Sequence, residues 1–325
     1  MMEHYVTLFD SKFLPMGLCL HDSLSKHAGS FHLWVICMDE LVFEQLSQLN
    51  LPNLTSIRLS DVENDRLKEV KPTRNSGEYC WTLTPFTPEI IFRLALDANR
   101  VTYLDADLFF FDSPDSFFEE LESSGKHVLI TEHAYAPEYE FRSETSGKFC
   151  VQFMTFMRTK DAFEVMHWWQ ERCLEWCYAR FEDGKFGDQK YLDSWPEVFS
   201  RQVHVLKQTT RTLAPWNVLY LLSKQNIGFK PVIYHFHSLR ILSPYKVKLF
   251  ENYKVGIYAL QLYKQYINTL DKSIATMIDC RMSVPCLPDN NSFMASLRKI
   301  KGVIFGTRIV KRLNYRFYKS IISQV

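Results

Sequence analysis

The chain has 325 residues and a formal net charge of +1, so it carries no chain-wide electrostatic signature of nucleic-acid binding. At 46% hydrophobic and 23% charged it has the balance of a globular protein, long enough for one large α/β domain plus an appendage or for two modest domains.

The segment Met1-Met-Glu-His-Tyr-Val-Thr-Leu-Phe9 lacks the basic flank and long apolar stretch of a signal peptide. It reads as a first strand over 4–9. No window reaches ~18 uninterrupted apolar residues, so no spanning helix is expected. Residues 13–26 read as a helix, 31–37 as a strand, a segment through 49 as a helix capped by Asp39, and 54–59 as a third strand. Residues 71–77 are polar and turn-like. Pro88 opens a helix to 97 that leads into a strand over 101–104. A strand over 126–131, a charged, aromatic loop over 132–148, a strand over 149–157 and a helix over 160–178 follow. Short strands are expected near 203–206 and 229–236. Strands separated by helix-length segments predict βαβ units and a mainly parallel sheet. From Pro244 the helical pattern dominates, which divides the chain into a catalytic domain over 1–242 and a helical extension over 243–325.

Chemistry concentrates at Tyr103-Leu-Asp-Ala-Asp107. Asp is poor in strands and costly to bury unpaired, so two carboxylates between apolar runs need compensation. Positions i and i+2 of an extended backbone share a side, so Asp105 and Asp107 can face one ion. Hard oxygen ligands suit Mg²⁺ or Mn²⁺ rather than zinc. The alternative is a strand-end pair capping the next helix. His235 and His237 repeat the i, i+2 spacing on the late strand and are candidates for the same metal site. Asp188 and Gln189 follow a Gly/Asp turn at the start of an apparent helix. Either Asp188 caps that helix, or the pair hydrogen-bonds the hydroxyls of a sugar.

The eight Cys are scattered and mostly in apolar surroundings, and Cys173 and Cys177 have no second Cys/His pair at zinc spacing. Reduced thiols in the core of a cytosolic protein are expected. No GxxxxGK[ST], GxGxxG or GxSxG occurs, which argues against P-loop, dinucleotide and serine-hydrolase chemistry. After Asp289 there is no acidic residue, while eight Lys and Arg accompany apolar residues at helical spacing. Residues 291–325 thus have the pattern of a basic amphipathic helix, lying on an anionic membrane surface or packed on the domain with its basic face in water.

Together, Tyr103 to Asp107, Arg93, Asp188-Gln189 and His235 resemble the glycosyltransferases of the GT-A fold, most of all glycosyltransferase family 8 and related bacterial cell-surface polysaccharide enzymes. Glu78 to Pro85, Cys173 to Tyr178, Phe186 to Pro196, Ala214 to Asn217 and Tyr234 to His237 extend the resemblance over about residues 4–240. It implies a Rossmann-like sheet and an enzyme that moves a sugar, with retention of anomeric configuration, from a nucleotide-diphosphate donor, UDP-linked by preference. The acceptor would be a surface glycan or its lipid-linked precursor, handled in the cytoplasm or at the inner membrane face. The resemblance assigns Mn²⁺ or Mg²⁺ to Asp105, Asp107 and His235, with His237 as competitor. It assigns the nucleotide to Thr7, Phe9 and Asp10, the donor sugar or phosphate to Arg93, and the sugar pocket to Asp188 and Gln189. Two departures stand out: Cys150-Val-Gln152 replaces Asn-x-Gly, and Ser238 replaces a Gly. Two rival readings are a sugar-nucleotide pyrophosphorylase, for which the Gly-rich, Arg-containing loop after the first strand is missing, and an inactive carbohydrate-binding or scaffolding relative.

Overall fold

A computed structural model describes residues 2–224, 230–286 and 309–311. Along the chain the strands are β1 (Glu3–Phe9), β2 (Phe31–Cys37), β3 (Leu54–Arg58), β4 (Arg100–Leu104), β5 (Leu108–Phe110), β6 (Val128–Glu132) and β7 (Phe149–Met157). They continue as β8 (Val203–Val205), β9 (Thr212–Leu213), β10 (Ile233–His235), β11 (Arg240–Ser243), β12 (Lys246–Lys248) and β13 (Ile309–Lys311).

The central sheet has the order β3-β2-β1-β4-β7-β6-β8. Within it β7 alone runs antiparallel to its neighbours β4 and β6. β1 and β4 are buried along their whole length, as strands covered on both faces must be. The strand order reverses between β1 and β4, where open α/β sheets bind ligands beyond the carboxyl ends of their strands. Asp105 stands at that edge.

Local signals account for several boundaries. Asp39 caps the helix Glu40–Leu49 by accepting from Val42 N at 2.8 Å, and its other oxygen accepts from the Ser11 backbone N–H and Oγ after β1. Residues 71–77, expected as a turn, divide into a short 3₁₀ segment and the start of the helix Ser76–Leu83. That helix begins at a capping box of Asn75 and Glu78.

The segment after residue 242 is helical over Gly256–Asp279, but the β11–β12 hairpin precedes that helix. The amphipathic helix expected over 291–325 lies outside the described residues except at 309–311, where β13 pairs with β12 as a strand. Helix Gly256–Asp279 packs on the first helix, Leu14–His27, in a cluster joining Tyr263, Tyr266, Leu270 and Ile274 to Met16 and Cys19. The same cluster takes in Tyr234 and Phe236: the Phe236 and Tyr266 rings stack at 3.7 Å, and the Tyr234 hydroxyl donates to that of Tyr263. The late helix therefore braces β10 from behind. All eight cysteines are free thiols, and five of them are buried. No described helix is long and apolar enough to cross a membrane.

Candidate active site

The carboxylates converge through a turn rather than through strand alternation. β4 ends at Leu104, and the Leu108 N–H donates to the Asp105 carbonyl at 3.1 Å, folding 105–108 back on itself. The turn delivers β5, which pairs antiparallel with β10 so that His235 lies opposite Leu108. One step further on, the Phe236 N–H donates to the Asp107 carbonyl at 2.9 Å. This backbone register, set by residues ~130 apart in sequence, brings the imidazole to the acidic pair. His235 Nε2 lies 3.0 Å from Asp107 Oδ1 and 3.7 Å from Asp105 Oδ2. One ligand atom from each of the three residues falls within 4.8 Å of the others, the only such metal-capable group among the described residues.

Electrostatics fit a cation there. Burial pushes the Asp105 carboxyl up to about 6, with His235 opposing and Asp107 adding to the rise. Burial would raise Asp107 too, but the charge and hydrogen bond of His235 bring it down to about 2. Burial alone would lower His235, yet the two carboxylates hold it well above the ordinary histidine range. The two carboxylates offer hard oxygen donors and the imidazole a borderline nitrogen, a mixed set that can hold a divalent cation such as Mn²⁺. Around them, the Tyr103 hydroxyl donates to Asp105 at 3.0 Å, and Gln152 Oε1 lies 2.9 Å from His235 Nδ1.

His237 is not part of the converging group. It lies just past β10, its ring 5.6 Å from that of His235 and edge-on to Trp216, and burial lowers it to about 4. The next residue, Ser238, takes a left-handed φ of 66°, the backbone that glycine adopts at least cost. The expected glycine turn is thus kept by a serine.

Asp188 is buried, and its carboxyl is raised well above the ordinary range by burial and then by the charge of Asp105. It caps no helix. The segment that follows is a 3₁₀ turn, Lys190–Ser194, whose N-cap is Gln189 with no side-chain cap bond. Gln189 instead donates its amide to the Ser146 carbonyl at 2.6 Å, tying this turn to the helix Arg142–Ser146. Asp10 stands half-buried where β1 ends, accepting from Lys12 N at 3.0 Å. The charges of Asp10 and Asp188 both act on Cys80, whose thiol is pushed up to about 12, chiefly by burial. Cys80 therefore lies within reach of both.

Of the other three expected site residues, two are buried in β1 and one lies at the far edge of the sheet. Thr7 is fully buried in β1. Phe9 turns its ring onto the first helix, where a Cβ on Gly17 would come within 2.4 Å of it. Arg93 is exposed in the last turn of the helix Thr87–Leu94. That helix ends where the Ala95 carbonyl accepts from Arg158, next to Met157, the partner of Arg100 at the start of β4. A helix leading into a strand ends at the strand's beginning, so Arg93 lies at the opposite edge of the sheet from Asp105. Arg240 on β11 is the basic residue that sequence reading missed: its charge helps hold Asp107 down.

No protein-family model matches the chain. The uncharacterized protein YfnD of Bacillus subtilis (strain 168) is 30% identical over 273 residues, covering 81% of this chain and 86% of its own. YfnF of the same organism is 28% identical over 260 residues, covering 76% and 85%. Among solved structures, the apo form of the glycosyltransferase GlyE of Streptococcus pneumoniae TIGR4 aligns with a TM-score of 0.52 at 13% identity, over 90% of this chain and 66% of that one. The galactosyltransferase LgtC, solved with donor and acceptor sugar analogs, aligns with a TM-score of 0.50 at 13% identity, over 83% and 95%. These structural likenesses are of fold. The chain belongs to the same family as YfnD, and its fold is the GT-A fold of nucleotide-sugar glycosyltransferases.

Proposed function

We propose that this protein is a divalent-metal-dependent glycosyltransferase. It moves a sugar from a nucleotide-diphosphate donor, UDP-linked by preference, to a cell-surface glycan or its lipid-linked precursor. The observation that carries the reading is the convergence of Asp105, Asp107 and His235 at the edge of the sheet where strand order reverses. Asp105, Asp107 and His235 would hold Mn²⁺ or Mg²⁺. The bound cation would supply Lewis-acid stabilisation of the charge that builds on the departing diphosphate. Asp10, at the end of β1, faces the nucleotide side, and Asp188 with Gln189 lines the sugar side. Arg240, rather than Arg93, is the basic group on the diphosphate side. Residues 1–242 carry this chemistry, and within the extension over 243–325 the helix Gly256–Asp279 braces it.

Incubation with Mn²⁺ and a panel of nucleotide sugars is expected to release nucleoside diphosphate. EDTA should stop the release and added Mn²⁺ should restore it. Full activity after metal stripping removes the metal from the reading. Formation of nucleotide sugar and pyrophosphate from a nucleoside triphosphate and a sugar phosphate would mark a pyrophosphorylase instead. Donor binding without turnover would mark an inactive relative.

The basic stretch 291–325 supports a peripheral contact with anionic lipid at the cytoplasmic face of the membrane, close to a lipid-linked acceptor. Full-length protein is expected to co-sediment with anionic vesicles at low salt. Removal of 291–325 should abolish sedimentation and spare donor hydrolysis. A truncated protein that sediments equally well, or that becomes insoluble, ends this part of the proposal.

A further inference from the structure

Gln152 sits in the interior of β7 with 1% of its surface exposed. A primary amide so deeply buried is costly unless it is hydrogen-bonded. Its carbonyl oxygen lies 2.9 Å from His235 Nδ1. The backbone carbonyl of the same residue accepts from the Asp105 N–H at 3.0 Å. A single residue thus holds the backbone of Asp105 through its main chain and the imidazole of His235 through its side chain.

Trp216 and Cys150, which also meet the His235 ring, hold it less firmly. Trp216 meets the ring edge-on at 5.4 Å and limits its swing, but its indole N–H is committed to the His133 carbonyl and offers no acceptor. The Cys150 thiol also reaches the imidazole, and sulfur is a weak acceptor. An imidazole that donates from Nδ1 presents Nε2 on its other side, where Asp107 and Asp105 lie at 3.0 and 3.7 Å.

We propose that Gln152 is a positioning residue: its side-chain carbonyl accepts the Nδ1–H of His235 and fixes the tautomer and ring rotation that aim Nε2 between Asp105 and Asp107. The identity of what Nε2 then binds rests on the metal reading above; the tether itself does not. Without the acceptor, the buried imidazole keeps only the weak sulfur of Cys150 on that side, and the ring regains alternatives in which Nε2 no longer faces the carboxylates.

The test uses the full chain as wild type, Gln152→Leu and Gln152→Glu, with Gln152→Met replacing the Leu variant should that one fail to fold. Mn²⁺ affinity is measured by electron paramagnetic resonance titration. The His235 Nδ1–H is followed by NMR on protein with ¹⁵N-labelled imidazoles, with and without Mg²⁺. Gln152→Leu should weaken Mn²⁺ binding by about ten- to a hundredfold, the usual effect of losing an outer-shell partner. It should also lose the slowly exchanging Nδ1–H resonance. Gln152→Glu keeps an acceptor oxygen and should retain both affinity and resonance, which a merely space-filling role would not produce. Equal Mn²⁺ affinity and an unchanged resonance in the Leu or Met variant would overturn the proposal, as would failure of a folded Glu variant to rescue. A wild type that binds no Mn²⁺ rejects the metal reading instead. The resonance then decides: loss in Leu with retention in Glu supports the tether, and persistence in both overturns it.

Discussion

Asp105→Ala and Asp107→Ala are each expected to lower nucleoside diphosphate release at least about a hundredfold, the order seen when a preorganised charge-stabilising group is lost. The two variants should part company in metal-free stability. Burial pushes the Asp105 carboxyl above its ordinary 3.8 to about 6, so the folded state binds its proton more tightly than the unfolded chain does. Its ionisation then costs stability as pH rises from about 3.8 through about 6, and Asp105→Ala removes that cost at neutral pH. Asp107 has the opposite sign. Its carboxyl is held down to about 2, so its contribution is present above 3.8 and is lost as pH falls toward 2. Removing Asp107 also deprives buried His235 of its main polar partner. At pH 7 in EDTA, Asp105→Ala should melt no lower than wild type, and Asp107→Ala clearly lower. Equal destabilisation in both, with turnover retained, would reduce the pair to a structural feature.

What the sequence made legible was what local pattern controls. The apolar runs of β1, β2 and β7, and the Asp39 cap, depend on neighbours within a few residues, and the structure has them within a residue or two of expectation. The site is different. That Asp105 and Asp107 come together was readable, but the reason given by strand alternation was wrong, because the turn closed by Leu108 N–H brings them there. The choice of His235 over His237 depends on the register of β10 against β5, which no local pattern encodes. Arg93 misled because motif proximity was read without helix direction. Phe9 carried a usable signal, since it shares a strand face with the core residue Tyr5. Gln152 carried one too. A glutamine within Phe149-Cys-Val-Gln-Phe-Met-Thr-Phe-Met157 is a polar group in a strand apolar enough to be buried, which demands a partner. Ser238 shows the reverse: a departure in residue type that leaves the left-handed turn intact.

Asp188→Asn should separate function from stability most cleanly. If Asp188 served only the fold, Asn, of nearly the same shape, would leave rate and melting temperature unchanged. The structure argues against a capping role, because the 3₁₀ turn after it begins at Gln189 without a side-chain cap. Instead a buried carboxylate is held near Asp105, at a cost that shows in its raised proton affinity. A group raised in this way destabilises the fold in its ionised form, and the penalty grows as pH climbs above 3.8. Asn cannot ionise, so the variant should melt at or above the wild-type temperature, with the advantage widening toward higher pH. A lost hydrogen bond from a sugar hydroxyl to a charged carboxylate corresponds to roughly ten- to a hundredfold in rate. Nucleoside diphosphate release should fall by that factor while the protein becomes no less stable. Carboxylates retained against the interest of the fold are characteristic of binding and catalytic sites. Unchanged kinetics together with an unchanged melting curve across pH 5 to 8 would return Asp188 to the scaffold.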